Sequence, residues 1–317
     1  VATVNTVLGP IDTRELGFTL THEHLVNTSA GIPQVYPDFL DRKGTVDWAV
    51  QELRAAYAEG VRTIVDVTTI DLGRDIRMMK EVSRRTKVHI VAATGTWRDI
   101  PRAFWSAKPD MIAALYIREI QDGMEGTGVK AGVIKVATDR EGVTEQGEII
   151  LRAAARAQKA TGVPISTHTW APERVGEQQV RVFEDEGVDL NRVYIGHSND
   201  TTDTGYLLGL LRRGVWIGLD RYPGGRAPGT PDWQARTETV KRLMDAGFGH
   251  RLMLSHDHFV TLTTANREMQ DQRRRFNPDG YLFIKRRVLP RLRELGASEQ
   301  DVQKLMVENP RWFFEGR

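Results

Sequence analysis

Residues 132–168 read GVIKVATDREGVTEQGEIILRAAARAQKATGVPISTH. An apolar, β-branched run, Val133–Val136, carries a lysine at 135. Apolar residues then recur at helical spacing through Gly147–Ala160, and Gly162 stands where a C′ glycine ends a helix. A second apolar run, Val163–Ser166, leads to His168. The stretch is one strand, one helix and one strand. Two apolar strands joined by a helix predict parallel pairing with both faces covered.

Outward from this unit the pattern repeats. Further apolar runs fall at Phe18–Leu20, Val61–Val67, Val88–Ala93, Val193–Ile195, Val215–Leu219 and Leu252–Leu254, eight in all. Val46–Ala58 is another amphipathic stretch, and Gly60, Gly187, Gly214 and Gly247 repeat the handover from helix to strand. The count predicts a single (β/α)8 TIM barrel over residues 1–317 rather than an open doubly wound sheet. Val1–Leu8 with a turn at Gly9-Pro10 reads as a short N-terminal strand extension at the barrel bottom. Nearly every run ends in a polar residue: His22 and His24, Asp66, Thr94, Lys135, His168, His197, Asp220 and Asp257. A barrel gathers these C-terminal ends on one face, where active sites of the fold lie. An open sheet would spread them at about 4.8 Å per strand.

Composition narrows the chemistry. Lys+Arg 44 against Asp+Glu 42 leaves a formal charge of +2, which gives no reason to expect a nucleic-acid or membrane-surface partner. Cysteine is absent, which excludes disulfides, thiolate catalysis and Cys-based zinc or iron–sulfur sites. No apolar run approaches the roughly 20 residues of a membrane span. The opening Val1-Ala2-Thr3-Val4 has neither a basic nor an apolar leader, so a cytoplasmic location is expected. The sequence does not begin with Met, and a removed leader is the alternative. Elsewhere, Gln272-Arg273-Arg274-Arg275 reads as a solvated helix face, and Ser298-Glu299-Gln300-Asp301 as a capping box opening the last helix. The tryptophans are expected in the core or at interfaces, except Trp97 beside the site.

Any metal site must therefore use His, Asp, Glu and Lys. His22-Glu23-His24 places two imidazoles on one face of a strand. His168, His197 and Asp257 supply two more imidazoles and a carboxylate from strands five, six and eight, a donor set that suits zinc or a related divalent ion. A serine-nucleophile reading lacks G-x-S-x-G, and H-E-x-x-H is missing too. Lys135 discriminates further. A charged lysine inside an apolar strand is costly, and its ammonium offers no lone pair. Pairing with a buried acid is one explanation; carbamylation, which turns the amine into a bridging carboxylate, is the other.

Thr21-His22-Glu23-His24, Ile134-Lys135-Val136-Ala137-Thr138, Ser166-Thr167-His168-Thr169 and Ile195-Gly196-His197-Ser198 resemble the bacterial phosphotriesterase family of the amidohydrolase superfamily. Val61–Val67, Gly218-Leu219-Asp220 and Asn277-Pro278-Asp279-Gly280 extend the resemblance over almost the whole chain. It implies a distorted barrel, commonly a homodimer, with two divalent metal ions. His22, His24 and Asp257 would hold the buried ion, His168 and His197 the exposed one, and carbamylated Lys135 and a hydroxide would bridge them. Asp257 would take a proton and Asp200 relay it outward. Zinc is expected, with cobalt, manganese or iron as alternatives.

Within the resemblance the substrate signals are mixed. Arg221 and the short loop Tyr222–Pro231 resemble the phosphotriesterase-like lactonases. Trp97 and the stretch from Asp257 to Asn277-Pro278 resemble the organophosphate-degrading enzymes. Trp97 and Arg221 are the expected substrate-binding residues. The expected activity is that of a lactonase with phosphotriesterase activity. The alternatives are a true aryldialkylphosphatase, a carboxylester or N-acyl amide hydrolase and, outside catalysis, a metal-stabilised ligand-binding barrel. A mononuclear deaminase has no need of Lys135.

Overall fold

The computed structural model describes residues 2–225, 228–262 and 267–317. An antiparallel pair, β1 (Thr3–Thr6) and β2 (Gly9–Asp12), precedes the main sheet. That sheet contains β3 (Phe18–Asn27), β4 (Val61–Asp66), β5 (His89–Thr96), β6 (Val133–Ala137), β7 (Ile165–His168), β8 (Val193–Ile195), β9 (Trp216–Leu219), β10 (Leu252–Leu254) and β11 (Phe259–Leu262). Its spatial order is β10-β9-β8-β7-β6-β5-β4-β3-β11, and every neighbouring pair is parallel. Helices such as Arg42–Ala58, Glu145–Thr161 and Val175–Asp185 surround it, as the α/β barrel requires.

Nine strands stand where eight were expected because the last one is divided. β10 pairs with β9, whereas β11 pairs with β3. Between them, Ser255-His256-Asp257-His258 crosses from one neighbour to the other. The Asp257 N–H donates to the His22 carbonyl at 3.1 Å, and the His24 N–H donates to the His258 carbonyl at 2.8 Å. The final strand thus changes partner midway and brings the two ends of the sheet together.

Other boundaries differ from the sequence reading. β3 runs to Asn27 rather than stopping at Leu20, because β11 supplies a partner for its second half. His22 and His24 consequently lie inside a strand, His22 within a register shift between Leu20 and Glu23 and His24 just past it. Gly9-Pro10 opens β2 instead of forming the turn, which falls at Val7-Leu8. Val1 of that extension lies outside the described residues. The Val7 N–H donates to the Ile90 carbonyl near the start of β5, which puts the hairpin at the barrel bottom.

The glycines at 60, 162, 187, 214 and 247 all have positive φ, as expected at helix ends. Ser298 and Asp301 form the expected capping box. The arginine run behaves differently. Gln272 and Arg275 are exposed, but Arg273 covers the Phe259 ring at 3.5 Å and Arg274 covers Trp48 at 3.1 Å. Trp216 is buried with its indole N–H on the Asn191 carbonyl, while Trp105 is 55% exposed and departs from the core expectation.

Alternation within the strands divides the core. Ile64, Ile134, Ile165, Ile195 and Ile217 pack toward the helices. Val65, Val91, Val133, Tyr194, Trp216 and Met253 belong to a second, separate buried cluster inside the barrel. Lys135 lies two residues beyond Val133 on the same strand face, at the level where this apolar filling ends. Among the described residues no helix is long and apolar enough to cross a membrane.

Candidate metal centre

Above that filling, β3, β6, β7, the turn after β8 and the break between β10 and β11 bring His22, His24, Lys135, His168, His197 and Asp257 together. The Lys135 ammonium nitrogen is 3.0 Å from His22 Nε2. Asp257 Oδ1 lies 3.4 Å from His24 Nε2 and 3.7 Å from His22 Nε2, and its Oδ2 lies 4.0 Å from His197 Nε2. The His22 and His197 rings are 4.7 Å apart between centroids, and those of His197 and His168 4.4 Å. His22, His24 and Asp257 each offer one ligand atom within 4.8 Å of the others, which is the spacing a single cation needs.

Each imidazole is held by one nitrogen and offers the other. His24 Nδ1 is 2.8 Å from the Thr68 hydroxyl. His197 Nδ1 donates to Asp220 Oδ1 at 2.8 Å, and His168 Nε2 donates to Asp139 Oδ2 at 3.1 Å. His22 Nδ1 approaches Asp220 Oδ2 at 2.9 Å, without the alignment of a hydrogen bond. Such outer partners fix the tautomer and aim of a metal-binding histidine. Asp220, His22 and His197 also cluster closely enough to suggest a ligand triad. However, Asp220 already accepts from the Tyr194 hydroxyl, the His197 N–H and His197 Nδ1, and it lies fully buried on the far side of the rings. It is a support, not a ligand.

The electrostatics suit a cation. Burial holds His22 below its ordinary value, takes His168 down to about 4 and holds His197 well below the ordinary imidazole value, so these imidazoles are neutral with lone pairs available. Burial alone would raise Asp257. The His197 ring, the hydrogen bond from His24 and the Arg221 guanidinium together outweigh it and keep the carboxylate ionised. Lys135 is pushed down by burial to about 7, so its neutral amine is accessible near neutrality. The donor set therefore fits a divalent metal.

The mouth is built from the turns after β8 and β9. Asp200, on the short helical turn Ser198–Asp200, receives Arg221 Nη1 at 2.5 Å and Arg236 Nη1 at 2.9 Å. Arg221 also sends Nε to Asp257 Oδ2 at 3.2 Å, so one guanidinium spans both carboxylates. A cavity of about 250 Å3 opens here, lined by Asp200, Arg221, Tyr222, Asp257, Phe259 and Arg273. Trp97 meets the His168 ring edge-on at 5.6 Å. Arg226 and Ala227 of the loop Tyr222–Pro231, and residues 263–266 of the stretch before Asn277, lie outside the described residues.

Two polar strand ends take no part. Asp66 accepts from the Leu25 and Thr68 N–H groups, and the Thr94 hydroxyl turns outward to Glu119. Sequence reasoning missed Asp139 and the supporting role of Asp220. It also missed Glu23, whose place between two histidines was the only signal it carried.

A parallel α/β barrel with neutral imidazoles, an ionised carboxylate and a buried lysine at its C-terminal face defines the metal-dependent amidohydrolase type of enzyme. The chain belongs to the phosphotriesterase family, whose model matches residues 2–314. It is 40% identical to a phosphotriesterase homology protein of Mycobacterium tuberculosis over 98% of this chain and 97% of the other. It is 37% identical to an aryldialkylphosphatase of Saccharolobus solfataricus, covering 96% of each. The solved structure of the phosphotriesterase from Mycobacterium tuberculosis superposes with a TM-score of 0.92, covering 99% of this chain and 98% of that one at 40% identity. The chain is a hydrolase of this family.

Proposed function

We propose that the whole chain acts as one domain, a binuclear metal-dependent hydrolase of neutral esters, with lactones preferred and phosphotriesters also accepted. The observation that carries the reading is the hydrogen bond from each of His24, His168 and His197 to an outer partner that leaves its second nitrogen for a ligand, with His22 Nδ1 lying 2.9 Å from Asp220. His22, His24 and Asp257 would hold one cation, His168 and His197 the other, and carbamylated Lys135 would be shared. Zinc is the first choice, with cobalt, manganese and iron compatible with the same donors. Bound there, the cations would lower the pKa of a water to about 7 and polarise the electrophile.

The side chains supply the remainder. The depressed basicity of Lys135 favours reaction of its neutral amine with carbon dioxide. Asp257, one oxygen toward His24 and the other toward Arg221, is the group that takes the proton. Asp200 receives it at the cavity wall. Arg221 is a permanent cation, so it fixes both carboxylates without carrying a proton itself. Trp97 stands against the His168 ring, outside the lining of that cavity, and would meet substrate from that side. Exposed Val35, Tyr36 and Phe39 after β3, and Trp105 and Met111 in the loop and helix after β5, support a homodimer that covers them.

A lactone needs one channel for its tail and keeps its leaving group attached, whereas a phosphotriester carries three substituents. The permanent Arg221 charge in the 250 Å3 cavity favours the former. The name of the Saccharolobus relative favours a second reading, a true aryldialkylphosphatase. Measuring kcat/KM for a lactone series and one activated phosphotriester on the same metal-loaded protein separates the two. Arg221→His should narrow the difference. A tenfold preference for the triester, about 1.4 kcal/mol at the transition state, would overturn the lactonase reading.

A further inference from the structure

We infer that Glu23, the middle residue of His22-Glu23-His24, is the positioning residue for Asp257: its carboxylate clamps the break between β10 and β11 and so sets where Asp257 stands. The inference rests on the reading of Asp257 as a metal ligand. Alternation along β3 sends Glu23 away from the two imidazoles, yet it is fully buried. Its Oε1 accepts from the Ser255 hydroxyl at 2.6 Å, the His256 N–H at 3.0 Å and His256 Nδ1 at 2.7 Å. Its Oε2 accepts from the His258 N–H at 2.9 Å. All the donors come from the three residues that flank Asp257.

The clamp answers a geometric problem. Between β10 and β11 the chain has left the β9 ladder and bonds to β3 through the Asp257 N–H and the His258 carbonyl, which leaves the His256 and His258 N–H groups outside both ladders. Buried donors without acceptors cost about 1–3 kcal/mol each. A single carboxylate supplies both acceptors, and its two oxygens address the residues on either side of Asp257. Asp257 itself has φ +52°, a left-handed conformation that an aspartate holds only where its surroundings impose it. His256 extends the clamp: with Nδ1 donating to Glu23, its Nε2 accepts from the Ile284 N–H at 3.1 Å, which ties the break to the helical segment behind it. The Ser255 hydroxyl also accepts from the His22 N–H at 2.9 Å, so the same contacts register Asp257 against His22.

Glu23→Gln tests the clamp. An amide replaces one acceptor by a donor facing donors, while shape is kept. Zinc affinity, measured by competition with a chromophoric chelator, is expected to fall about 10–100-fold, the usual effect of losing an outer-shell partner. The visible absorption of the cobalt-loaded protein should shift with it. Glu119→Gln, which loosens the buried Arg74 pair elsewhere in the fold, should lower the melting temperature and leave both metal readouts unchanged. Should Glu23→Gln fail to fold, Ser255→Ala removes one donor to Glu23 together with the acceptor of the His22 N–H, leaves the other three donors to Glu23 in place, and is expected to move the same readouts less far. Asp257→Asn separates the two levels of argument. If it weakens zinc binding while Glu23→Gln and Ser255→Ala leave affinity and spectrum as in the unsubstituted protein, the clamp is wrong and the ligand reading stands. If Asp257→Asn binds zinc normally, the ligand reading fails and the clamp with it.

Discussion

Replacing Arg236 by methionine removes a guanidinium that is 1% exposed while nearly preserving side-chain volume. Three contacts disappear: to Asp200 Oδ1 at 2.9 Å, to the Asn199 carbonyl at 2.6 Å and to the Pro231 carbonyl at 2.8 Å. Breaking a buried ion pair by deleting one partner costs about 3–5 kcal/mol. Asp200 retains Arg221, so the lower end applies, about 3 kcal/mol. At roughly 2 °C per kcal/mol for a chain of this size, the melting temperature should fall by about 6 °C. Urea denaturation of the two single variants and of Arg236→Met/Asp200→Asn gives the coupling directly. The double variant should be less destabilised than the sum of the singles, by at least about 1 kcal/mol. A loss below about 1 kcal/mol in Arg236→Met, with strict additivity in the pair, would show that this arginine is spectator to Asp200 and refute the account of the mouth.

Lys135→Ala should abolish most turnover, and a short carboxylic acid should restore part of it; one metal per active chain with an unmodified lysine would remove the bridging role. Chelation should stop turnover and lower the melting temperature together, because ligand at 100 times its dissociation constant contributes about 2.7 kcal/mol. A melting curve unchanged after verified metal loss contradicts that. The hydrogen bond from Arg156 holds Glu186 below its ordinary 4.5. A depressed carboxylate stabilises the fold above its unfolded value and loses that contribution as pH falls below it. The denaturation midpoint of Glu186→Gln should therefore decline less steeply between about pH 5 and 3 than that of the unsubstituted chain, and identical slopes would count against the pair.

What could be read from the sequence was whatever is local. The β/α alternation, the helix-ending glycines and the Ser298 cap are written in neighbouring residues, and they stand as expected. The ligand candidates were legible because each lies in or just beyond an apolar run of neighbouring residues. Glu23 was not, since its donors lie 232 to 235 positions away. The full length of β3 was hidden for the same reason: its second half is a strand only because β11 arrives beside it. Asp139 and Asp220 belong to this class as well. An aspartate near a strand end looks alike whether it binds a metal or steadies the imidazole that does, and only the position of the ring decides.

The divided last strand also bears on the order in which the molecule comes into being. His22 and His24 leave the ribosome early, and Lys135, His168 and His197 follow. Yet Asp257 and the contacts that seat it against β3 arrive only when about four fifths of the 317-residue chain has been made. Closure of the barrel and completion of the proposed ligand trio His22, His24 and Asp257 are therefore one event. A nascent chain holds imidazoles without the carboxylate that would join them, which postpones tight metal capture until the scaffold around it exists.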